Sequence, residues 1–231
     1  MNDTELDPAI PAATVVLLRD DPAGLETLML RRNTNLAFAG GAWVFPGGRI
    51  DPDDFEGGVP SDDPDALLHA ARRAAVREAA EEADLTVDVE TLVWFAHWTP
   101  ALAPRRRFAT WFFMAPAPDG AVTVDAYEIN EDAWIRPSEA LRRHAAGEIE
   151  LLPPTWVTLH TLSESPSVDL ALARARDREP DIYVSRIGPV DGGTAAYWAG
   201  DAGYDDGDLT KPGPRHRLLM LASGWKFEHS A

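Results

Sequence analysis

The sequence contains no cysteine, has only two lysines among its 21 basic residues, and carries no long apolar run. The lack of cysteine excludes disulfides, thiolate nucleophiles and cysteine-ligated zinc, and it is typical of a reducing cytoplasm. No apolar stretch approaches the about 20 residues needed to cross a bilayer, and the acidic start MNDTELDPAIP is unlike a signal peptide. We therefore expect a cytoplasmic protein that neither spans nor binds a membrane.

Positive charge is scarce overall, since 38 acidic residues give the 231-residue chain a net charge of −17. Such a chain repels polyanions, which argues against binding to nucleic acid polymers. A small anionic substrate would need local positive charge, and the run Arg105, Arg106, Arg107 in a proline-bounded segment offers guanidinium forks for phosphate oxygens. The alternative is that this run is a solvated turn. With 45% apolar residues and eight tryptophans, we expect a packed globular protein.

Three carboxylates recur at helical spacing in the segment REAAEEADL, residues 77–85. If this segment is helical, Glu78, Glu81 and Glu82 project from one arc within a turn of each other. Like charges so placed repel unless a cation lies between them, and clustered hard oxygen ligands favour Mg²⁺ or Mn²⁺ over zinc. The alternative is a solvated, glutamate-rich helix face. The glycine pair in FPGG, residues 45–48, and the Arg directly before Glu78 favour the metal site.

These two motifs resemble the signature of the Nudix hydrolases, in which a glycine precedes an Arg-Glu-x-x-Glu-Glu helix. Gly48, Arg77 and the three glutamates occupy the matching positions. Asp84 stands where the family has a glycine at the helix end, although Asp tolerates the left-handed conformation better than most residues. Asp54 stands where the family has an early glutamate, but 22 residues separate it from Arg77, more than the family pattern has.

The extra length is interpreted as an insertion around residues 52–64, whose Gly, Pro and Asp content predicts an exposed loop. Asp63 as N-cap and Pro64 at the first helical position then predict one helix from Pro64 to Ala83. The insertion would thus precede the helix and leave the geometry of its carboxylates intact. We expect Phe55 to Asp62 to be exposed.

The remaining pattern predicts an α+β protein, in which strands surround one metal-bearing helix and further helices close the fold. The expected strands are Ala12 to Arg19, Leu25 to Arg31, Ala42 to Phe45, Thr91 to Trp98, Phe108 to Ala115, Ala133 to Ile135, Ile182 to Ile187, Ala195 to Ala199 and Arg217 to Leu221. The expected helices are Pro137 to Ala146, Thr155 to Leu162 and Val168 to Arg178. The stretch from Asp201 to Pro214 is rich in Gly, Asp and Pro and is expected to be an exposed loop. The Nudix resemblance implies the same architecture, an α/β/α sandwich with a mixed sheet and a C-terminal extension. It suggests a tail at residues 1–11, a Nudix domain at residues 12–160, and an extension at residues 161–231 packed on the same domain.

A split signature of this kind resembles the branch of coenzyme A and acyl-coenzyme A diphosphatases, as do the segments at residues 35–51, 98–113 and 144–156. The resemblance implies a Mg²⁺- or Mn²⁺-dependent diphosphohydrolase for a small nucleotide substrate, with coenzyme A species foremost. ADP-ribose, dinucleotides and nucleotide sugars are the alternatives, as is a Nudix-like module that binds a nucleotide without cleaving it. The helices of the extension have two open interpretations, a cover over the substrate cleft or a contact in a homodimer.

The resemblance also assigns roles to individual residues. Glu78, Glu81 and Glu82 would hold the metal with the carbonyl of Gly48, and Arg77 would orient one carboxylate. The arginine run at residues 105–107 and Phe45 are the candidate substrate contacts. A further carboxylate should act as general base or additional metal ligand. It comes either from within the Nudix signature or from the later strand region, where Glu128 and Glu131 are the candidates and the sequence does not choose between them.

Overall fold

The structure, a computed structural model, describes residues 9–34, 40–101, 107–124 and 127–230. Its chain contacts divide it into two compact units. The larger unit comprises Pro11–His97 and Thr110–Asp181, and the smaller comprises Met1–Ile10, Trp98–Ala109 and Ile182–Ala231. The domain boundary expected near residue 160 stays a prediction.

The larger unit is built on a sheet whose second strand pairs antiparallel with its neighbours. The strand order is β3-β2-β1-β6-β5, with β4 paired to β1 and β7 paired to β2. The strands are β1 Ile10–Asp21, β2 Gly24–Arg32, β3 Trp43–Val44, β4 Gly47–Arg49, β5 Val93–Thr99, β6 Phe108–Pro116 and β7 Ile129–Ile135. The expected strands are present, although β7 begins four residues earlier than Ala133 and the third is shortened to β3. The strand β4 was not predicted.

The helix α1 spans Pro64–Ala83, the bounds that the sequence predicts. Its start is fixed by Asp63, whose side chain accepts a hydrogen bond from the Ala66 N–H at 3.0 Å. It ends at Asp84, which adopts the left-handed conformation with φ 56°. Alanines along one face let the helix approach the sheet closely, and together with strand residues they form a core of Ala13, Val15, Leu17, Leu28, Leu30, Ala71, Ala74, Ala75, Ala79 and Ala83.

Three shorter helices complete the larger unit, namely α2 Pro137–Ala145, α3 Pro153–Leu162 and α4 Val168–Arg176. Each begins with a proline or with a serine cap, as Ser167 shows by accepting from the Leu170 N–H. The mixed sheet with its helices confirms the predicted α+β class. No helix in the described part of the chain is long and apolar enough to cross a membrane.

The smaller unit contains a four-stranded antiparallel sheet in the order β12-β11-β10-β9. Its strands are β9 Arg186–Val190, β10 Gly193–Tyr197, β11 Arg215–Leu221 and β12 Gly224–Ser230, preceded by β8 Asp181–Val184. The pattern at Ile182 to Ile187 predicted one strand, but two form, separated at Ser185, whose N–H donates to the Thr99 carbonyl at 2.8 Å. The strand β12 is not among those that the sequence predicts.

The connection from Asp201 to Pro214 was expected to be exposed loop, and at Asp201 this is wrong. Asp201 is 6% exposed and forms a two-pronged ion pair with Arg217 of β11, which is 4% exposed. The Arg217 Nε and Nη2 atoms each donate to an Asp201 oxygen at 2.6 Å. An acidic residue in a Gly- and Asp-rich loop looks solvated in sequence, but here it satisfies a buried guanidinium.

Candidate metal centre

The three glutamates of α1 lie in different environments, although they share one arc of the helix. Glu82 is 4% exposed, because it lies on the side of the helix that faces the sheet. The Glu78 side chain is 14% exposed and the Glu81 side chain 59% exposed. The cluster therefore runs from the interior to the surface within one helical turn.

Glu82 is held by the backbone of the glycine pair. The Gly47 N–H donates to Glu82 Oε2 at 2.9 Å. Burial raises the pKa of Glu82 to about 8, against the opposing effect of this hydrogen bond. The negative charges of Glu78 and Glu128 raise it further, and the positive charge of Arg32 lowers it. The carboxyl of Glu82 is thus shielded from water, and a nearby cation would offset the free-energy cost of its buried negative charge.

Gly48 is a glycine because Glu78 occupies the space where a side chain would lie. A Cβ at this position would be 2.2 Å from Glu78 Oε1 and 2.4 Å from its carboxyl carbon. Burial also raises the pKa of Glu78, while Arg77 opposes that shift. The close approach places the Gly48 backbone against the carboxylate that the sequence assigns to a metal.

Arg77 connects the glutamates to the inserted segment. Its Nη1 donates to Glu78 Oε1 at 2.8 Å and to Glu81 Oε2 at 3.0 Å. Its Nε and Nη2 form a fork with the Asp54 carboxylate at 3.2 and 2.9 Å. The hydrogen bond that Arg77 donates to Asp54 is the largest of the effects that raise the pKa of Arg77. Arg77 is therefore a permanent cation with its orientation fixed from two sides.

Asp54 is a site residue that lies inside the segment interpreted as an insertion. It is 4% exposed, its Oδ2 accepts the Asp51 N–H at 2.8 Å, and its backbone carbonyl accepts a hydrogen bond from Arg73. Phe55 is 9% exposed, so the expectation that residues 55–62 are exposed is wrong at that residue. Short 3-10 turns at Pro52–Asp54 and Glu56–Gly58 bury these two side chains.

The donor chemistry of this cluster fits Mg²⁺ or Mn²⁺, since all its ligands are oxygens. Within the described ranges, however, no three His, Asp or Glu side chains point to one position where they could hold a metal. Arg77 holds the exposed Glu81 instead. Glu81 is a long and mostly exposed side chain, so other rotamers are open to it when it leaves Arg77.

The other predicted site residues lie apart from this cluster or outside the described ranges. Glu131 is exposed, with Oε2 3.5 Å from Arg31 Nη1, and it lines a cavity of about 560 Å³ with Trp43 and Arg143. Phe45 is 3% exposed, so its ring lies in the interior. Arg105 and Arg106 fall outside the described residues, and the Arg107 carbonyl accepts from the Ile10 N–H at 2.7 Å. Their roles in substrate binding stay predictions.

Residues 8–154 match the family described as NUDIX domain. Among solved structures, the chain is similar to a NUDIX hydrolase from Alicyclobacillus acidocaldarius, at 22% identity over 72% of this chain and 96% of that chain, with a TM-score of 0.64. It is also similar to the NUDIX domain of Shewanella oneidensis NrtR in complex with ADP ribose, at 15% identity over 77% of this chain and 94% of that chain, with a TM-score of 0.51. At these identities the structural likeness demonstrates a shared fold.

Proposed function

Because the NUDIX match covers more than half of its length, the chain belongs to the NUDIX family, and we propose that it is a divalent-metal-dependent diphosphohydrolase of a nucleoside diphosphate derivative. Family membership makes it a hydrolase of phosphoanhydride bonds. Coenzyme A or acyl-coenzyme A is the leading substrate class, on the resemblance of residues 35–51, 98–113 and 144–156 to that branch. ADP-ribose is the first alternative, since the Shewanella domain binds it.

The observation that carries this proposal is the contact between the glycine pair and the α1 carboxylates. Gly47 donates to Glu82, and Gly48 has no side chain where the Glu78 carboxylate lies. Glu78, Glu81, Glu82 and the Gly48 carbonyl would hold Mg²⁺ or Mn²⁺. When bound, the metal neutralises the diphosphate oxygens and acidifies a water for attack on phosphorus. Arg77 positions Glu78 and Glu81, and does not need to contact the substrate.

Glu128 is the better candidate for the general base or additional ligand. The negative charge of Glu128 raises the pKa of both Glu78 and Glu82, which supports a position near the cluster, whereas Glu131 pairs with Arg31 beside the cavity. The Glu128 backbone is fixed as well, since its carbonyl accepts the Asn33 N–H at 2.7 Å. A carboxylate so placed can accept a proton from the attacking water.

We expect Glu128→Gln to lower kcat by about 10²- to 10⁴-fold, the usual contribution of a general base, and to leave KM nearly unchanged. Glu131→Gln is the matched control and should keep kcat within a few-fold. Steady-state hydrolysis at saturating Mg²⁺ distinguishes the two. If Glu131→Gln shows the large loss and Glu128→Gln does not, the assignment is reversed.

Asp54→Asn should lower kcat/KM about 10- to 100-fold, the usual cost of losing a group that orients metal ligands. The amide keeps the shape of the side chain but weakens the fork to Arg77, so Arg77 no longer holds Glu78 and Glu81 rigidly. The adjacent and exposed Asp53→Asn is the control. A variant with wild-type kcat/KM and an unchanged Mg²⁺ requirement would show that the inserted segment has no part in the site.

The proposal as a whole is tested by product release from a panel of coenzyme A, dephospho-coenzyme A, ADP-ribose, dinucleotides and nucleotide sugars, with and without Mg²⁺. Metal-dependent cleavage of any member supports an enzyme, and binding without cleavage indicates a nucleotide-binding module. Coenzyme A carries a 3′-phosphate that dephospho-coenzyme A lacks. A preference for coenzyme A that is lost when the arginine run at residues 105–107 is replaced by alanine would support the coenzyme A class. The cytoplasmic location and a homodimer stay predictions.

A further inference from the structure

Two adjacent arginines at the end of β2 point to opposite faces of the sheet. Side chains alternate along a strand, and Leu28 and Leu30 pack in the core with the alanines of α1. Arg32 continues that face, and Arg31 lies on the other face, where it pairs with Glu131. The irregular pairing with β7 skips Asn130, so the extra residue lies in β7 and the alternation of β2 is kept.

The backbone of Arg32 is held by two hydrogen bonds to the segment that leads into β3. Its N–H donates to the Ala42 carbonyl at 3.0 Å, and its own carbonyl accepts from the Gly41 N–H at 3.1 Å. The side chain therefore extends from a rigid strand end toward the part of α1 that carries the glutamates. Its positive charge acts on Glu82, which is the most buried of the three glutamates.

One donor of the Arg32 guanidinium is not satisfied within the described part of the chain. Its Nε atom is buried and has no hydrogen-bond partner there. Arg77, in contrast, donates to three carboxylates. Burying a donor of a charged group without a partner costs free energy. The chain has 38 acidic residues, but no carboxylate in its described part accepts a hydrogen bond from Arg32 Nε. A ligand anion would satisfy this donor.

We propose that Arg32 binds the diphosphate of the substrate. A guanidinium offers a planar fork that matches two phosphate oxygens. Arg32 thus brings positive charge to the edge of a carboxylate cluster that would otherwise repel a polyanion. The inference rests on the proposed function, because it names the group that this same site recognises.

The test compares Arg32→Ala and Arg32→Lys with the matched control Arg31→Ala, which alters the neighbouring residue on the other face of the strand. Binding of inorganic pyrophosphate in the presence of excess Mg²⁺ is measured by calorimetry, and Mg²⁺ binding alone is measured on the same variants. We expect Arg32→Ala to weaken pyrophosphate binding about 10- to 100-fold, with Arg32→Lys intermediate. Mg²⁺ binding should be unchanged or tighter, because a cation beside the carboxylates has been removed. Arg31→Ala should bind pyrophosphate like the wild type.

Equal pyrophosphate affinity in Arg32→Ala and the wild type would overturn the proposal, as would wild-type protein that does not bind pyrophosphate with Mg²⁺. A parallel loss of Mg²⁺ binding in Arg32→Ala would also overturn it, because the residue would then support the metal site and not the anion. If Arg32→Ala does not fold, the comparison of Arg32→Lys with Arg31→Ala decides. Failure of the substrate panel with intact pyrophosphate binding would refute the proposed hydrolysis but not the role of Arg32.

Discussion

Replacing Glu82 by Gln should lower turnover at least about a hundredfold and leave the fold intact. Loss of a group that only orients a metal ligand costs about 10- to 100-fold, so loss of a ligand itself should cost no less. Gln retains an oxygen that can accept the Gly47 N–H. Because burial raises the pKa of Glu82 to about 8, the neutral amide avoids the cost of a buried carboxylate in the metal-free protein.

Turnover at saturating Mg²⁺ and the melting temperature with and without Mg²⁺ provide the measurements. The metal-free melting temperature of Glu82→Gln should match or exceed that of the wild type, while the increase on adding Mg²⁺ should be lost. Glu90→Gln, an exposed glutamate beyond the helix, is the control for a loss of one negative charge. Wild-type turnover in Glu82→Gln would refute the assignment of this carboxylate to the metal.

Arg217→Met should lower the free energy of unfolding of the smaller unit by about 3–5 kcal/mol, the range seen when one partner of a buried ion pair is removed. Asp201 would be left as a buried carboxylate, with only the N–H groups of Gly203 and His216 as donors, at 2.9 and 3.0 Å. The double change Asp201→Ala with Arg217→Met should recover part of the loss, because no charge then remains buried. Chemical denaturation of the three proteins measures these differences.

This ion pair also gives a pH dependence with a definite sign. Burial by itself would raise the pKa of Asp201, but Arg217 and the two backbone N–H groups outweigh it and hold the pKa below its usual range. The stabilisation is therefore present above the unfolded-state pKa and is lost as the pH falls through the lower folded-state value. In Arg217→Met the pKa of Asp201 should be raised instead. The difference in the free energy of unfolding between variant and wild type should therefore narrow on acidification.

The control for both effects is Lys211→Met, which removes a cation from an exposed pair with Asp206 in the same connection. Exposed pairs contribute little, so its stability should follow that of the wild type at every pH. A loss in Arg217→Met no larger than that of Lys211→Met would mean that the pair is hydrated in solution.

The sequence by itself determined α1 to the residue, because helix ends depend on local chemistry. Asp63 can cap only the helix that starts beside it, and Asp84 can adopt the left-handed conformation without help from distant residues. The spacing of Glu78, Glu81 and Glu82 likewise follows from the helical period alone. The α+β class followed from the same local patterns, since apolar periodicity distinguishes strands from helices before any packing is known.

Only the tertiary structure decided what each charged residue does, because burial and pairing depend on residues distant in the chain. The three glutamates look alike in sequence, but packing on the sheet buries Glu82 and leaves Glu81 exposed. Asp54 reaches Arg77 across 22 intervening residues, the negative charge of Glu128 raises the pKa of Glu82, and Glu131 pairs with Arg31. Arg31 and Arg32 are adjacent in sequence, but one pairs with a carboxylate and the other retains a buried donor, because strand geometry directs them to opposite faces.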